Sequence, residues 1–426
     1  NMVPMRENTE THLDGKFEFQ PFLEYSATEL HRSVFHTIYR DCSVNARAIT
    51  GLNTSFLRNL PPSYIGAICK FLNHFFGRDR IDYPESFRNC VSFPVYKKGR
   101  KDLAKNYRQI VIADPFCNLV EAGAYGQLSN FFELKGILDD FQLGFRSCRC
   151  TDCCYTHQKR HTFCNKKKFF ILSLVDLSNA FGSGQRNLVL NRFAPYVSQH
   201  TLSFLESFMT PIKIKVMVNG ILADEFSSTG LQGMGTQGSN LTPFVFSVCI
   251  NHIFKDLGNY IVENEIIYTK FADDISISVS GNSANEIKQK TLWCLNYLDK
   301  KLSELNIHQN LNKFQFLTNC SEISHLEYKG RQLQKSKEVN LLGYVFNDRF
   351  GTDSHFKQIR GKIIYHRNQI KNVAHLFPKP EIKQLISAHI LGSINYSLAH
   401  LPSICPSRMD TLQNPINQLF YRLLIK

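Results

Sequence analysis

The sequence predicts an α+β fold, and three patterns in it carry that expectation. Apolar residues alternate with polar ones in short runs bounded by turn-forming residues, which is the period of a half-buried strand. Elsewhere they recur at helical spacing, as at Ile287, Cys294, Leu295, Leu298, Leu302 and Leu305, where one face of a helix should pack on a sheet. From about His355 the pattern is helical to the end of the 426 residues.

Residues 1–90 read as an N-terminal helical extension, with aromatic-rich stretches such as 64–76 and a joint at Pro61-Pro62. Residues 91–113 give a strand, a basic turn and a second strand. Lys97, Lys98, Arg100, Lys101 and Arg108 make a cationic tip suited to a triphosphate or a nucleic-acid backbone, or else an ordinary solvated turn. Residues 118–128 and 130–138 continue as helix. A cluster follows: Cys148, Cys150, Cys153, Cys154, His157, His161 and Cys164. The ligand types suit zinc, but the second ligand pair of a standard finger would lie much further along. The segment reads as one helix leading into a strand, so the expectation is buried thiols with surface histidines rather than zinc.

Residues 169–175 are almost wholly apolar and end at Asp176, as a buried central strand with a carboxylate at its open end would. Residues 177–181 begin the next turn and helix. Ile212, Ile214, Val216 and Val218 alternate with Lys213, Lys215 and Met217, and Asn219-Gly220 carries a type I′ hairpin signal. The Gly-rich segment 230–243 leads into the apolar helix 244–254. Its glycines let backbone approach a ligand closely, and no Gly-Lys-Ser/Thr follows to make a P-loop. Residues 265–271 and 275–279 read as strands with Asp273 and Asp274 at the tight turn between them. Such a pair is either a polar hairpin cap or a site for a hard, oxygen-binding cation such as magnesium, because adjacent carboxylates repel unless a cation stands between them. Asn310-Leu-Asn-Lys313 precedes a short strand at 314–317, and 339–346 is a strand pair or turn. Lys357, Arg360, Lys362, His366, Arg367 and Lys371 give the C-terminal helices a basic face.

Composition narrows the class of partner. The formal charge is +14, from 50 Lys and Arg against 36 Asp and Glu, which favours a polyanion over a small acidic substrate. No run of 18 apolar residues exists and the polar N-terminus lacks a signal-peptide core, so an intracellular protein without membrane contact is expected, in nucleus or cytoplasm. The 13 cysteines, an odd number set mostly in apolar surroundings at Cys69, Cys117, Cys249 and Cys294, read as reduced core residues. An Asn before the first Met suggests a segment of a longer polyprotein.

Asp176, Asp273 and Asp274 are the three carboxylates that chemistry can use. If their strands are neighbours, the oxygens converge on one edge and can hold two magnesium ions roughly 3.5–4 Å apart, for in-line attack of a hydroxyl on a phosphate. The basic hairpin around Lys98 and Arg108 is the natural partner of the triphosphate.

The order of the pieces resembles the reverse transcriptase of non-long-terminal-repeat (LINE-type) retrotransposons. The matching residues are Phe93-Pro-Val-Tyr-Lys-Lys-Gly99 with Asn106-Tyr-Arg108; Asn118-Leu-Val-Glu121; Gln142-Leu-Gly-Phe-Arg146; Val175-Asp-Leu-Ser-Asn-Ala-Phe181; Gln232-Gly through Gln237-Gly-Ser-Asn-Leu-Thr-Pro243; Phe271-Ala-Asp-Asp274; Asn310-x-x-Lys313; and Leu342-Gly343. The resemblance implies a right-hand polymerase: fingers at 91–168, a palm with an antiparallel sheet at 169–350, a helical thumb at 351–426, and the N-terminal extension before them. It implies copying of an RNA template into DNA from a DNA or RNA primer and dNTPs. Two Mg2+ ions, or Mn2+ in their place, would sit on Asp176, Asp273 and Asp274, with the Leu177 carbonyl as a further ligand. Lys98 and Arg108 would hold the triphosphate, Phe181 would exclude a ribose 2′-hydroxyl, Gln237 and Gly238 would line the nucleotide pocket, Lys313 would protonate pyrophosphate, and Leu342-Gly343 would grip the primer. Gln109, Gly182 and Thr236 depart from the family pattern, which has Pro, Asp and Pro there. The alternatives are an RNA-dependent RNA polymerase, against which Phe181 argues, a group II intron maturase, and a catalytically degenerate palm that binds RNA as a scaffold, against which the intact carboxylates argue. An endonuclease, which target-primed integration requires, is not recognisable in these residues.

Overall fold

A computed structural model describes residues 15–20, 48, 50, 56, 60–76, 84–164, 167–178, 180–227, 233–398 and 406–421. Most of the expected N-terminal extension, residues 230–232 of the Gly-rich segment, Asn179, the side chain of Cys164 and the last five residues lie outside the described residues.

In chain order the elements are α1 (Ile65–Phe76), β1 (Asn89–Tyr96), β2 (Tyr107–Ile112), α2 (Pro115–Leu134), α3 (Thr151–Cys164), β3 (Phe169–Val175) and β4 (Leu177–Ser178). Next come α4 (Ala180–Ser183), α5 (Arg186–Phe193), α6 (Gln199–Phe208), β5 (Lys213–Val218), β6 (Ile221–Ser227), α7 (Thr242–Cys249) and α8 (Asn259–Glu263). They are followed by β7 (Ile266–Phe271), β8 (Asp274–Gly281), α9 (Ala284–Ser303), β9 (His308–Gln309), β10 (Gln315–Thr318), β11 (His325–Tyr328) and β12 (Arg331–Gln334). The last are β13 (Glu338–Leu341), β14 (Tyr344–Asn347), α10 (Asp353–Val373), α11 (Lys379–Ile386), α12 (Gly392–Leu398) and α13 (Pro406–Phe420). The chain passes back and forth between two compact units: Asn1–Phe145, Leu177–Asp256 and Tyr297–Gln309 form one, and Arg146–Asp176, Leu257–Asn296 and Asn310–Lys426 the other.

In the first unit the sheet order is β2-β1-β5-β6. The basic hairpin is present, with Val95 opposite Arg108 and Tyr96 opposite Tyr107. The Asn219-Gly220 turn is also as expected, both residues having positive φ (51° and 82°) as a type I′ turn requires. What joins the two hairpins is a parallel pairing of β1 with β5, from Asn89 opposite Lys213 to Ser92 opposite Val216. Pro94 lies just beyond that pairing, where its missing N–H costs no ladder bond. Residues 118–138 do not form two helices: α2 is one helix of 20 residues, started earlier by Asp114, whose side chain accepts from Phe116 N, with Pro115 at its first position.

In the second unit the sheet order is β10-β3-β8-β7, antiparallel throughout. The apolar run 169–175 is an inner strand of it, as predicted. Phe170, Leu172 and Leu317 pack with Tyr155 of α3 and with Val339, Leu341, Tyr344 and Phe346 of the β13–β14 hairpin. Full burial of one such side chain contributes about 1.5–3 kcal/mol. The face of β8 carrying Ser276 is held to α3 by polar contacts, Gln158 Nε2 donating to Ser276 Oγ at 2.8 Å. The C-terminal helices form their own core from Ile359, Ile363, Ile370, Ile386, Ile390 and Leu412, so the described residues from Asp353 on are mainly helical, as expected.

The cysteine-rich segment folds as one helix before a strand, yet its burial differs from the expectation. Cys154 is buried, with its thiol pushed up to about 12 by desolvation, whereas Cys148 and Cys150 are exposed and Cys153 is half-buried. The histidines are half-buried instead, and burial lowers the pKa of both His157 and His161. Helical phase explains this: Cys154 and Gln158 share the inward face of α3, while Cys148 and Cys150 precede the helix. Cys69, Cys117, Cys249 and Cys294 are buried and reduced, as expected.

Candidate active site

Register builds the carboxylate site. β3 and β8 pair up to Val175 opposite Ile275, so the next position sets Asp176 beside Asp274. β10 and β3 pair from Gln315 opposite Leu174, and carrying that register back two residues sets Lys313 beside Asp176. Lys313, Asp176 and Asp274 thus stand in a row at one end of the sheet. The hairpin closes with Phe271 opposite Asp274, leaving Ala272 and Asp273 as a two-residue turn. Ala272 has φ 56°, a left-handed conformation that costs an L-residue roughly 1–2 kcal/mol and that fits a II′-type turn, in which only the first central residue is positive.

Asp176 is clasped by the segment that precedes β10. Lys313 Nζ donates to Oδ1 and Oδ2, both at 2.9 Å. Asn310 Nδ2 donates to Oδ2 at 3.2 Å, and Asn310 N donates to the Asp176 carbonyl at 2.8 Å. A turn closed by Lys313 N donating to Asn310 O at 3.0 Å brings both side chains to the same carboxylate, which is the geometric reason for the Asn-x-x-Lys spacing. Desolvation raises the pKa of Asp274 to about 6, with the charges of Asp273 and then Asp176 adding to it and Lys313 opposing. The side chain is nonetheless open to water, where screening softens the penalty.

These residues fit a divalent cation. Like charges disfavour ionisation here, and a cation reverses that sign. Among the described residues no three His, Cys, Asp or Glu side chains close into a ready-made metal cage. Magnesium does not need one: it typically takes one or two carboxylates and completes its shell with water and substrate phosphates.

The remaining residues of the sequence-based set belong to the other unit, apart from Leu342 and Gly343. At the basic tip, Asn106 Nδ2 donates to Arg100 O at 2.7 Å and Tyr107 Oη to Lys101 O at 2.7 Å, so two residues of the Asn-Tyr-Arg motif order the turn. Lys98 and Arg108 are exposed. Arg100 is engaged with Asp102, at 2.5 Å in its closer contact, and Lys101 Nζ lies 5.7 Å from the centre of the Tyr96 ring. Leu177 is buried and pairs with Gln309. Phe181 is half-exposed, its ring 5.0 Å from that of Phe246, and its carbonyl accepts from Met234 N at 3.1 Å. Gln237 and Gly238 are exposed, and the Gln237 carbonyl accepts from Val111 N of β2 at 2.8 Å. Gly238 has φ 129°, and a Cβ there would lie 2.1 Å from the Val111 carbonyl oxygen. Gly238→Ala should therefore destabilise the protein by roughly 2 kcal/mol or more, read as a lower denaturant midpoint with unchanged m. In the second unit, Leu342 (φ 50°) and Gly343 (φ 92°) form the turn of the β13–β14 hairpin. Tyr396 Oη donates to the Leu342 carbonyl.

An antiparallel sheet with carboxylates gathered at one end, in a basic protein, is the arrangement of a polymerase palm. The family model for reverse transcriptase (RNA-dependent DNA polymerase) matches residues 95–346, and the chain belongs to that family. It is a nucleotidyltransferase, an RNA-directed DNA polymerase, and its substrates are accordingly an RNA template, a primer and dNTPs. No curated protein matches the chain. Among the described residues no helix is long and apolar enough to cross a membrane.

Proposed function

We propose that this chain makes cDNA as part of a non-long-terminal-repeat retrotransposon protein, acting inside the cell, with fingers at 91–168, palm at 169–350 and thumb at 351–426. The observation that carries the reading is the row Lys313, Asp176, Asp274 with Asp273 beside it at one sheet end, inside the matched residues. Asp176, Asp273 and Asp274 would hold two Mg2+ ions, with the Leu177 carbonyl as a further ligand. The metals' contribution when bound is to lower the pKa of the primer 3′-hydroxyl and neutralise charge developing on the phosphates. The protein's own residues do the rest by position and charge. Lys98 and Arg108, exposed on the hairpin tip, bind the triphosphate. Phe181 occupies the space a 2′-hydroxyl would need. Gln237 and Gly238 line the nucleotide, and Leu342-Gly343 holds the primer end. Lys313, which donates to both oxygens of Asp176, gives a proton to the leaving pyrophosphate, and solvent then restores its charge.

The reading is tested by extending a primer on an RNA template with purified protein. Full-length DNA should appear with dNTPs and Mg2+, stop on chelation and return with added Mg2+ or Mn2+. Extension from the 3′ end of a nicked DNA strand, with the same RNA as template, tests the retrotransposon context. Tight RNA binding without any extension would favour an RNA-binding scaffold, and efficient rNTP polymerisation an RNA polymerase.

A further inference from the structure

Glu121 sits in the middle of α2 and is 4% exposed, a setting in which a carboxylate is costly unless it is hydrogen-bonded. Its partners come from a loop more than a hundred residues later. Oε2 accepts from Ser239 Oγ at 2.7 Å and from Asn240 N at 2.9 Å, while Cys117 Sγ donates to Oε1 at 3.4 Å. Asn240 Nδ2 adds a bond to the Asn118 carbonyl at 3.3 Å. Ser239 Oγ also accepts from Leu241 N and Thr242 N, each at 3.2 Å, at the start of α7. One carboxylate oxygen therefore fixes the point where the Gln237-Gly238 segment enters its helix.

Gly233, Gly235 and Thr236 roof a cavity that Cys90, Cys117 and Glu121 also line, so the loop lies over space as well as over solid core. Its upstream edge is fixed to β2 by the bond from Val111 N to the Gln237 carbonyl. Its downstream edge is fixed by Glu121.

We infer that Glu121 is a positioning residue for nucleotide binding: it sets the height and orientation of Gln237-Gly238 against β2, the strand that bears Arg108. This inference rests on the reading that Gln237 and Gly238 line the nucleotide pocket. A role confined to stability would predict loss of melting temperature with both substrates affected alike. A positioning role predicts a selective change in dNTP binding.

The test compares Glu121→Gln, which keeps the volume and an acceptor at the Oε2 position, with Glu121→Met, which keeps the volume and removes the acceptor. With homopolymer RNA and a DNA primer, Glu121→Met should raise the dNTP KM on the order of ten- to a hundredfold, as expected when a contact is displaced by about 1 Å. The primer–template Kd should stay at the wild-type value, and Glu121→Gln should restore the dNTP KM. Ser239→Ala gives the same selective defect if Glu121→Met does not fold. Unchanged dNTP KM in Glu121→Met or, where that variant does not fold, in Ser239→Ala would overturn the inference, as would Glu121→Gln being equally impaired. Gln237→Ala separates the two levels. If it raises the dNTP KM while the Glu121 and Ser239 variants do not, only the inference fails. If it leaves the KM unchanged, the pocket reading fails and the inference with it.

Discussion

Asp273→Asn is expected to lower RNA-templated extension by roughly a thousandfold or more, about 4 kcal/mol of transition-state stabilisation, while leaving the fold and RNA binding in place. The size of the effect follows from charge. Asn keeps the shape of Asp and a carbonyl oxygen, but a neutral amide is a poor ligand for a hard dication and does not counter its charge. The mildness of the structural effect follows from position, because Asp273 occupies the half-exposed turn between β7 and β8 and no strand pair includes it. Thermal unfolding and filter binding to RNA should match wild type. Asp176→Asn should be as damaging to catalysis. It also leaves Lys313 facing a neutral partner where two contacts of 2.9 Å now stand, although at an exposed site that loss is worth about 1 kcal/mol or less.

Phe181→Ala should admit ribonucleotides, raising the rNTP-to-dNTP ratio of kcat/KM on the order of a hundredfold. The backbone that carries Phe181 is immobilised: its carbonyl accepts from Met234 N, and a Cβ on Gly233 would fall 2.5 Å from that same oxygen. With the main chain fixed and one side of the ring against Phe246, the side chain has the support that the proposed role of a rigid wall requires. Removing it opens room for a hydroxyl without moving the loop. The lost aromatic contact should lower stability by about 1 kcal/mol. Insertion assays with matched dNTP and rNTP pairs read the change directly, and an unaltered ratio would remove Phe181 from the site.

Local chemistry made much of the fold legible. Asn219-Gly220 announces its turn through two positive φ angles that few other pairs tolerate, and the run 169–175 announces an inner strand because every residue of it is apolar or small. The hairpin of residues 265–279 was legible too, but its turn falls one residue earlier than expected, on Ala272-Asp273, and Asp274 opens the second strand. Long-range pairing was not legible. Nothing in residues 89–92 reveals that they lie parallel to residues 213–216, since alternation specifies a face and not a neighbour. The β11–β12 hairpin was missed although Lys329 and Gly330 have φ 50° and 70°, a turn signal weaker than Asn-Gly. Nor does Asp114 stand out in the sequence as a helix cap, so the start of α2 at Pro115 is not legible there.

At the candidate site the residue types were legible and their partners were not. Asn310-x-x-Lys313 could be picked out by spacing, but only the turn that brings both to Asp176 explains it. Glu121 stands in a matching motif, Asn118-Leu-Val-Glu121, but nothing in that motif says what the carboxylate does. Its burial and its two donors from the Ser239-Asn240 loop depend on tertiary folding, and no pattern within α2 encodes them. The cysteine cluster misled for a related reason: where the helix begins leaves Cys148 and Cys150 outside it and exposed, and its phase turns Cys154 inward with His157 and His161 half-buried.

The most direct test of the central claim is metal binding itself, read without turnover. Mn2+ binding to the purified protein, followed by electron paramagnetic resonance with RNA template, 3′-deoxy-terminated primer and a matching dNTP present, should show two bound ions in wild type and a loss of that binding in Asp176→Asn and Asp273→Asn. Undiminished binding in both variants would contradict the assignment of these carboxylates as the metal site.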